Sequence, residues 1–383
     1  MPTPSTVETP ESFNCIGFSQ DYRLLSIGHK KGYMFYKTAD ILESSTLPNG
    51  ILSTNSLGFN NCTIVERLFS SSLMVVVSEN EFRVLHLTSN NIISSHRFNK
   101  SILTVRINRQ RIITCFEDCI QIYNLSDMKL IHTIIDTPMN KLGIVDLTSN
   151  TGNAFIAYPG STDTGAVHIF DAINLKSVNT FVAHEGSLAC LQFNQEGNMI
   201  ATASTKGTVI RVYSVPDGNR LYEFRRGVSR YVTIQSLCFS SDSKFLAASS
   251  NVETIHVFKL EKAEENMKPE VTNESGGWFD TFNKTVTAYM PTQFMQVTEL
   301  MTIERSFATA RLPVACKSNR VALVAHKNQQ YLMAATSDGY VYVFQMNPEG
   351  GELDLIKQHC FEPETVSDGS SCLGTVGNKG GQS

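Results

Sequence analysis

Two arginines stand side by side in the run Phe224-Arg225-Arg226-Gly227. A guanidinium is a planar fork of N–H donors that matches a phosphate with two parallel hydrogen bonds. On an extended strand, adjacent side chains point to opposite faces, so Arg225 and Arg226 would address two different neighbours. Gly227 lacks a Cβ and lets the chain turn sharply or an anion approach the backbone. On one side in sequence lie His184, Thr202, Ser204, Lys206, Thr208 and Arg211; on the other lie Ser249, Ser250, Thr254 and His256. With one arginine of the pair assigned to each group, both combine hydroxyl donors, an imidazole and a guanidinium. Such a set suits a phosphorylated polyol: charge from Arg, hydrogen bonds from Ser and Thr, pH-sensitive donation from His. The competing reading is plain. An Arg-Arg pair in a surface loop is a solvated charge pair, and single Ser, Thr or His positions in strands are mostly structural.

Strands must carry these residues. Short runs alternate or nearly alternate at the strand period of two: Phe82-Arg-Val-Leu, Ile120-Gln-Ile-Tyr, Val167-His-Ile-Phe, Ile210-Arg-Val-Tyr, Ile255-His-Val-Phe and Val341-Tyr-Val-Phe. Their starts lie about 38 to 47 residues apart, the length of a four-stranded propeller blade, except for a last gap of roughly two blades. Each run follows a small-residue strand and a tight turn, as in Met199-Ile-Ala-Thr-Ala-Ser-Thr-Lys-Gly207 and Tyr331-Leu-Met-Ala-Ala-Thr-Ser-Asp-Gly339. Small residues suit the crowded inner part of a blade, and Gly207 and Gly339 suit a positive-φ turn position. Counting the pattern gives seven units, starting near Phe13, Thr63, Ile102, Leu142, Leu188, Ile234 and Arg320, with His184 placed at the start of the fifth. The expected fold is all-β: one seven-bladed β-propeller over residues 13–361, built from degenerate repeats because the Trp-Asp dipeptide of many such repeats is absent. A two-layer β-sandwich is the alternative, but it would not need the seven-fold period.

Residues 262–303 interrupt the sixth unit, a length that points to a functional or disordered insertion. Residues 1–12 and the Gly/Ser-rich 362–383 are expected to be disordered. The chain has 383 residues, 42% hydrophobic and 18% charged, so a large core is feasible. A net charge of −4 provides no global basic field, so nucleic acid is not an expected partner and any anion site is local. No run reaches the ~18 apolar residues of a membrane span, and the N-terminus does not read as a signal peptide. Nine cysteines, scattered singly, read as reduced, buried thiols of a cytosolic protein. No hydrolase elbow, phosphate loop, dinucleotide fingerprint or zinc spacing is present, so neither an enzyme nor a cofactor is expected.

Phe224-Arg-Arg-Gly227 and its surroundings resemble the PROPPINs, β-propellers that bind phosphoinositides, in their autophagy-18/WIPI branch. Supporting stretches are Glu66-Arg-Leu-Phe-Ser-Ser-Ser72, Ile107-Asn-Arg-Gln-Arg111, Ala157-Tyr-Pro-Gly-Ser161, Ala248-Ser-Ser-Asn-Val-Glu-Thr-Ile-His256 and Phe307-Ala-Thr-Ala-Arg-Leu-Pro313. The resemblance implies two sites for phosphatidylinositol 3-phosphate and phosphatidylinositol 3,5-bisphosphate. The first would take His184, Thr202, Ser204, Thr208, Arg211 and Arg225; the second, Arg226, Ser250, Thr254 and His256, with Gly227 between them. It implies a peripheral protein of preautophagosomal and endosomal membranes that recruits a conjugation scaffold or a lipid-transfer protein. Arg109 is the position matched to partner binding, with Arg106 and Arg111 candidates by proximity alone.

Beside such sites the insertion acquires a role. Phe279, Phe282, Val286 and Tyr289/Met290 recur at helical spacing next to Trp278, so the segment is expected to lie in a bilayer interface. Packing against blade six is the alternative for this segment. For the whole chain, the alternative is a protein-interaction propeller that binds no lipid.

Overall fold

The structure, a computed structural model, describes residues 13–48, 50–53, 59–227, 231–261 and 306–361. The alternating runs fold as strands because one face of each must be buried. In the fifth unit, the strand Met199–Ser204 is buried at every residue after the first, and the next, Val209–Ser214, buries Ile210, Val212 and Tyr213. Ala201, Thr202, Ala203 and Ser204 are small enough for the crowded middle of the molecule. The outer strand Arg220–Arg225 buries only Phe224.

The described strands form seven sheets, each built on an antiparallel four-stranded meander; the strands are consecutive in sequence except in blade seven, where Gly351–Glu352 intervenes before the last. This is the seven-bladed propeller expected from the repeat. The inner strands are Cys15–Phe18, Cys62–Arg67, Thr104–Ile107, Asp146–Leu147, Leu188–Phe193, Ile234–Phe239 and Asn319–His326. Blade six gains a fifth strand, Gly351–Glu352, which runs parallel to its outer strand Ala308–Arg311. The hairpin turn in blade five depends on Gly207: φ is +61°, and a Cβ there would sit 1.9 Å from the Val232 carbonyl oxygen. Gly339 is likewise at positive φ, +89°.

Blades one and seven close the ring without sharing a strand. The Phe13 amide donates to the Ser337 carbonyl at 3.0 Å and the Phe361 amide to the Gly339 carbonyl at 2.7 Å. The Phe361 ring packs edge-on against Tyr36, with centroids 4.6 Å apart. The largest apolar cluster spans blades six, seven and one, so the closure is also the thickest part of the core.

The inner strands surround a central cavity of about 440 Å³ lined by Glu66, Arg106, Asp146, Gln192, Gln235 and Arg320, among others. No polar cluster at the centre is legible in the sequence. Asp146 is fully engaged there, accepting from Arg106 Nε at 3.1 Å, Gln192 Nε2 at 2.9 Å and the Phe193 amide at 2.8 Å. Burial pushes the Glu66 carboxyl up to about 7. Cys15 and Cys190 line the same cavity and are only half-buried, a correction to their reading as core thiols. Burial nonetheless raises both, to about 12 and about 11, so they stay protonated at neutral pH. Among the described residues, no helix is long and apolar enough to cross a membrane.

Candidate anion-binding site

Phe224 fixes the direction of its neighbours. It is buried and stacks on Phe258 of blade six, with ring centroids 4.8 Å apart. Phe224 therefore points toward blade six, and Arg225, the next residue on the strand, points the other way. Arg226 lies just past the strand end, its amide donating to the Thr208 carbonyl at 2.9 Å.

Register then assembles the first group. Thr202 lies opposite Arg211, and Arg211 opposite Glu223. Cross-strand partners share a face, as do residues two apart on one strand. Thr202, Ser204, Arg211, Glu223 and Arg225 thus line one face of blade five. That face looks at blade four. Arg211 Nη1 donates to the Ala183 carbonyl at 2.7 Å, and His184 Nε2 lies 3.0 Å from Thr202 Oγ1. The Thr202 hydroxyl donates to the Arg211 carbonyl at 3.3 Å, so His184 Nε2 is the donor to Thr202. Arg211 Nε donates to Glu223 Oε2 at 2.7 Å, and Arg220 Nη1 shares that oxygen at 2.9 Å. The group is one connected chain, His184–Thr202–Arg211–Glu223–Arg220. Thr208 and the exposed Lys206 sit in the turn above it, with Lys206 Nζ 4.0 Å from Glu185 Oε2.

His184 requires a correction. The sequence reading puts it at the start of blade five, but it ends the outer strand of blade four, Lys176–His184. The imidazole reaches across the blade interface rather than along its own blade.

The second group repeats the first one blade on. Ala248 lies opposite His256, His256 opposite Thr309, and Thr254 opposite Arg311. Ser250, Thr254, His256, Thr309 and Arg311 therefore share a face. Phe258 is on that face too, and its contact with Phe224 shows that the face looks at blade five. The Arg226 charge acts on the His256 ring, as expected for residues across that interface. Position for position, Ser204, Val209 and Arg225 in blade five correspond to Ser250, Thr254 and Arg311 in blade six. Arg211 and Glu223 correspond to His256 and Thr309, and the role of His184, reaching in from the preceding blade, falls to Arg226. Ser249 lies on the other face and does not join the group.

Sequence reading misses Arg311, Thr309, Glu223 and Arg220. The run Phe307-Ala-Thr-Ala-Arg311 stands out in the sequence, but only the register across the insertion places its last residue beside Thr254.

The two groups differ in how far they are satisfied. Among buried atoms without a hydrogen-bond partner are Arg225 Nε, Ser250 Oγ and His256 Nδ1. Both histidines are held down to about 4, by burial first and then by a guanidinium, Arg211 for His184 and Arg226 for His256. Both are neutral at physiological pH, which corrects the expectation of pH-sensitive donation near neutrality.

The arginines of the Arg106–Arg111 stretch part company. Arg106 faces the central cavity and bonds Asp146, and Arg111 donates to the Ala172 carbonyl at 2.8 Å and to Asn124 Oδ1 at 3.0 Å. Arg109 alone is exposed, its guanidinium 4.8 Å over the Phe69 ring. It occupies the turn between the first and second strands of blade three, on the ring face opposite the second-to-third-strand turns that carry Thr208 and flank Ser250. The chain leaves blade six at the Arg109 face too, after Lys259, and re-enters at Ala308. Trp278, Phe279, Phe282, Tyr289 and Met290 lie outside the described residues, as do residues 1–12 and 362–383. Among the described residues, no cluster of His, Cys, Asp and Glu is suited to a metal ion.

The PROPPIN family model matches residues 12–362. This chain belongs to the PROPPIN family. It is 66% identical to autophagy-related protein 18 of Caenorhabditis elegans, over all of this chain and 93% of that protein. It is 43% identical to human WD repeat domain phosphoinositide-interacting protein 1, covering 93% of this chain and 78% of the relative. Among solved structures, Kluyveromyces lactis Hsv2 superposes with a TM-score of 0.69 at 19% identity, over 91% of this chain and 98% of that one. KlAtg21, solved in complex with the coiled coil of AgAtg16, gives 0.67 at 23% identity, over 92% and 100%. At these identities the two structures speak to the fold.

Proposed function

We propose that this PROPPIN is a phosphoinositide effector in autophagy. The two donor groups of blades five and six take the headgroups of phosphatidylinositol 3-phosphate and phosphatidylinositol 3,5-bisphosphate on autophagic and endosomal membranes. The observation that carries the reading is the repeated donor scheme on either side of Arg225 and Arg226, one blade apart. A phosphomonoester supplies the acceptors that Arg225 Nε, Ser250 Oγ and His256 Nδ1 lack within the protein. Two such sites on one rigid body act together, and avidity exceeds single-site affinity by about 10²–10⁴ when both engage. The names of the curated relatives, which speak of autophagy and of phosphoinositides, support the same reading.

Partner recruitment falls to the opposite face of the ring, at Arg109. Its partner is an autophagy protein, either a conjugation scaffold or a lipid-transfer protein; the KlAtg21 relative was solved with the coiled coil of AgAtg16. Liposome flotation tests both halves. Replacing Arg225 and Arg226 by Thr abolishes flotation with vesicles containing phosphatidylinositol 3-phosphate while leaving the melting temperature in place. Arg109→Glu floats like wild type and loses the protein partner. An Arg225/Arg226 variant that still floats leaves the protein-interaction propeller as the reading.

A further inference from the structure

Three apolar side chains stand in water beside the two donor groups. Val182 is 68% exposed, Tyr231 71% and Val314 65%. Such exposure of a large apolar side chain on a folded surface marks a contact made with something else when it clusters at a site. Val182 lies on the outer strand of blade four, two positions before His184. Tyr231 precedes Val232, whose amide donates to the carbonyl of Lys206, in the turn carrying Thr208, at 3.3 Å. Val314 follows Arg311, the cation opposite Thr254, by three positions. Val182 and Tyr231 thus flank the first group, and Val314 flanks the second. All three sit where an outer strand ends and the chain turns back toward the centre, on the same side of the ring.

We infer that Val182, Tyr231 and Val314 form an apolar rim that enters the bilayer boundary around the two headgroup sites. The inference rests on the headgroup reading above and extends it from the phosphate to the acyl region. Charge complementarity selects the occupant. Arg225, Arg226, Arg311 and the exposed Lys206 and Lys317 lie on the strand ends and turns next to the three apolar residues, with the exposed Glu185 set against Lys206. A surface of scattered apolar tips among cations fits an anionic lipid interface, where the apolar groups pass the headgroups and the cations stay at phosphate depth. Tyr231 has the amphipathic ring favoured at that depth.

Ile135 and Leu142 supply an internal control. They are 70% and 67% exposed, on the connection from blade three to blade four, on the same side of the ring but away from the donor groups. Val182→Ser/Tyr231→Ser/Val314→Ser weakens binding to phosphatidylcholine vesicles containing phosphatidylinositol 3-phosphate by about tenfold, the loss expected for removing apolar burial without a phosphate ligand. The same variant binds soluble inositol 1,3-bisphosphate like wild type and keeps its melting temperature. Ile135→Ser/Leu142→Ser binds vesicles like wild type. With Trp278 replaced by Phe, Tyr231→Trp places a single tryptophan at the rim, and its emission shifts blue and is quenched by brominated lipid. Vesicle binding by the triple variant equal to wild type, or an equal loss in the control pair, or an unshifted emission from the tryptophan introduced at the rim, overturns the inference. Wild type that binds vesicles but no soluble headgroup contradicts the headgroup reading instead, and loss of both ligands in the triple variant assigns these side chains to the donor groups or to the fold and overturns the rim.

Discussion

Blades five and six present the same positions to their neighbours, yet one set is closed upon itself except at Arg225 Nε and the other is open. In blade five, His184, Thr202, Arg211, Glu223 and Arg220 already satisfy one another. In blade six, the equivalent of Glu223 is Thr309 and the equivalent of Arg211 is His256, so no carboxylate stands in the group and Ser250 Oγ and His256 Nδ1 have no partner among the described residues. The contrast teaches how one blade design holds an anion in two ways. Blade five holds its guanidinium in place with an internal carboxylate and offers a preorganised but partly neutralised site. Blade six leaves its donors unmet and relies on the incoming phosphate to satisfy them.

Substitution at equivalent positions should break this symmetry. The largest difference is expected between Arg211→Met and Arg311→Met. The first strips Glu223 of its best partner and the Ala183 carbonyl of a charged donor, each such bond contributing about 1.5–3 kcal/mol. Its melting temperature drops by several degrees. Arg311 is exposed and has no side-chain partner among the described residues, so its replacement leaves the melt within error and weakens headgroup binding alone. Equal melting losses in the two variants would remove the distinction.

A smaller effect separates the hydroxyls. Thr202→Val deletes a buried oxygen that both accepts from His184 and donates to Arg211, a cost of about 1–3 kcal/mol for the partners left behind. Ser250→Ala removes an oxygen with no partner and changes unfolding free energy by less than about 0.5 kcal/mol, or raises it. Chemical denaturation of both variants measures this directly.

The smallest effect is in pH. His184 and His256 are held near 4 in the fold, below the ordinary 6.5. The unfolded chain therefore binds more protons between those values, and the stability from neutral histidines, full above pH 6.5, falls as pH drops toward 4. Glu66 opposes this trend: its folded carboxyl is raised to about 7, so its contribution falls as pH rises through the same range. Wild type minus His184→Gln isolates the histidine contribution, and that difference in melting temperature should shrink between pH 6.5 and 4. A difference independent of pH would mean that His184 titrates as it does in water.

The period-two runs and small-residue strands make the seven blades legible, because local alternation and turn glycines such as Gly207 decide strand and hairpin by themselves. The arginine pair is legible for the same local reason. Arg311 is not, because it meets Thr254 only through a register that spans residues 262–305. Glu223 escapes notice because its partner Arg211 lies on another strand, and the outer strand reads simply as polar. His184 falls to the wrong blade because just residues 185–187 separate it from the next inner strand. The central cluster draws one side chain from each of several inner strands, a coincidence of radius that no stretch of sequence displays.

The central claim is that both groups bind the same headgroup. Titration calorimetry with a soluble short-chain phosphatidylinositol 3-phosphate tests it most directly, because each site is counted without the avidity of a membrane. Two equivalents should bind wild type, one should bind Arg226→Thr, and one should bind Arg225→Thr. A single equivalent on wild type, or two retained by either variant, would contradict the account.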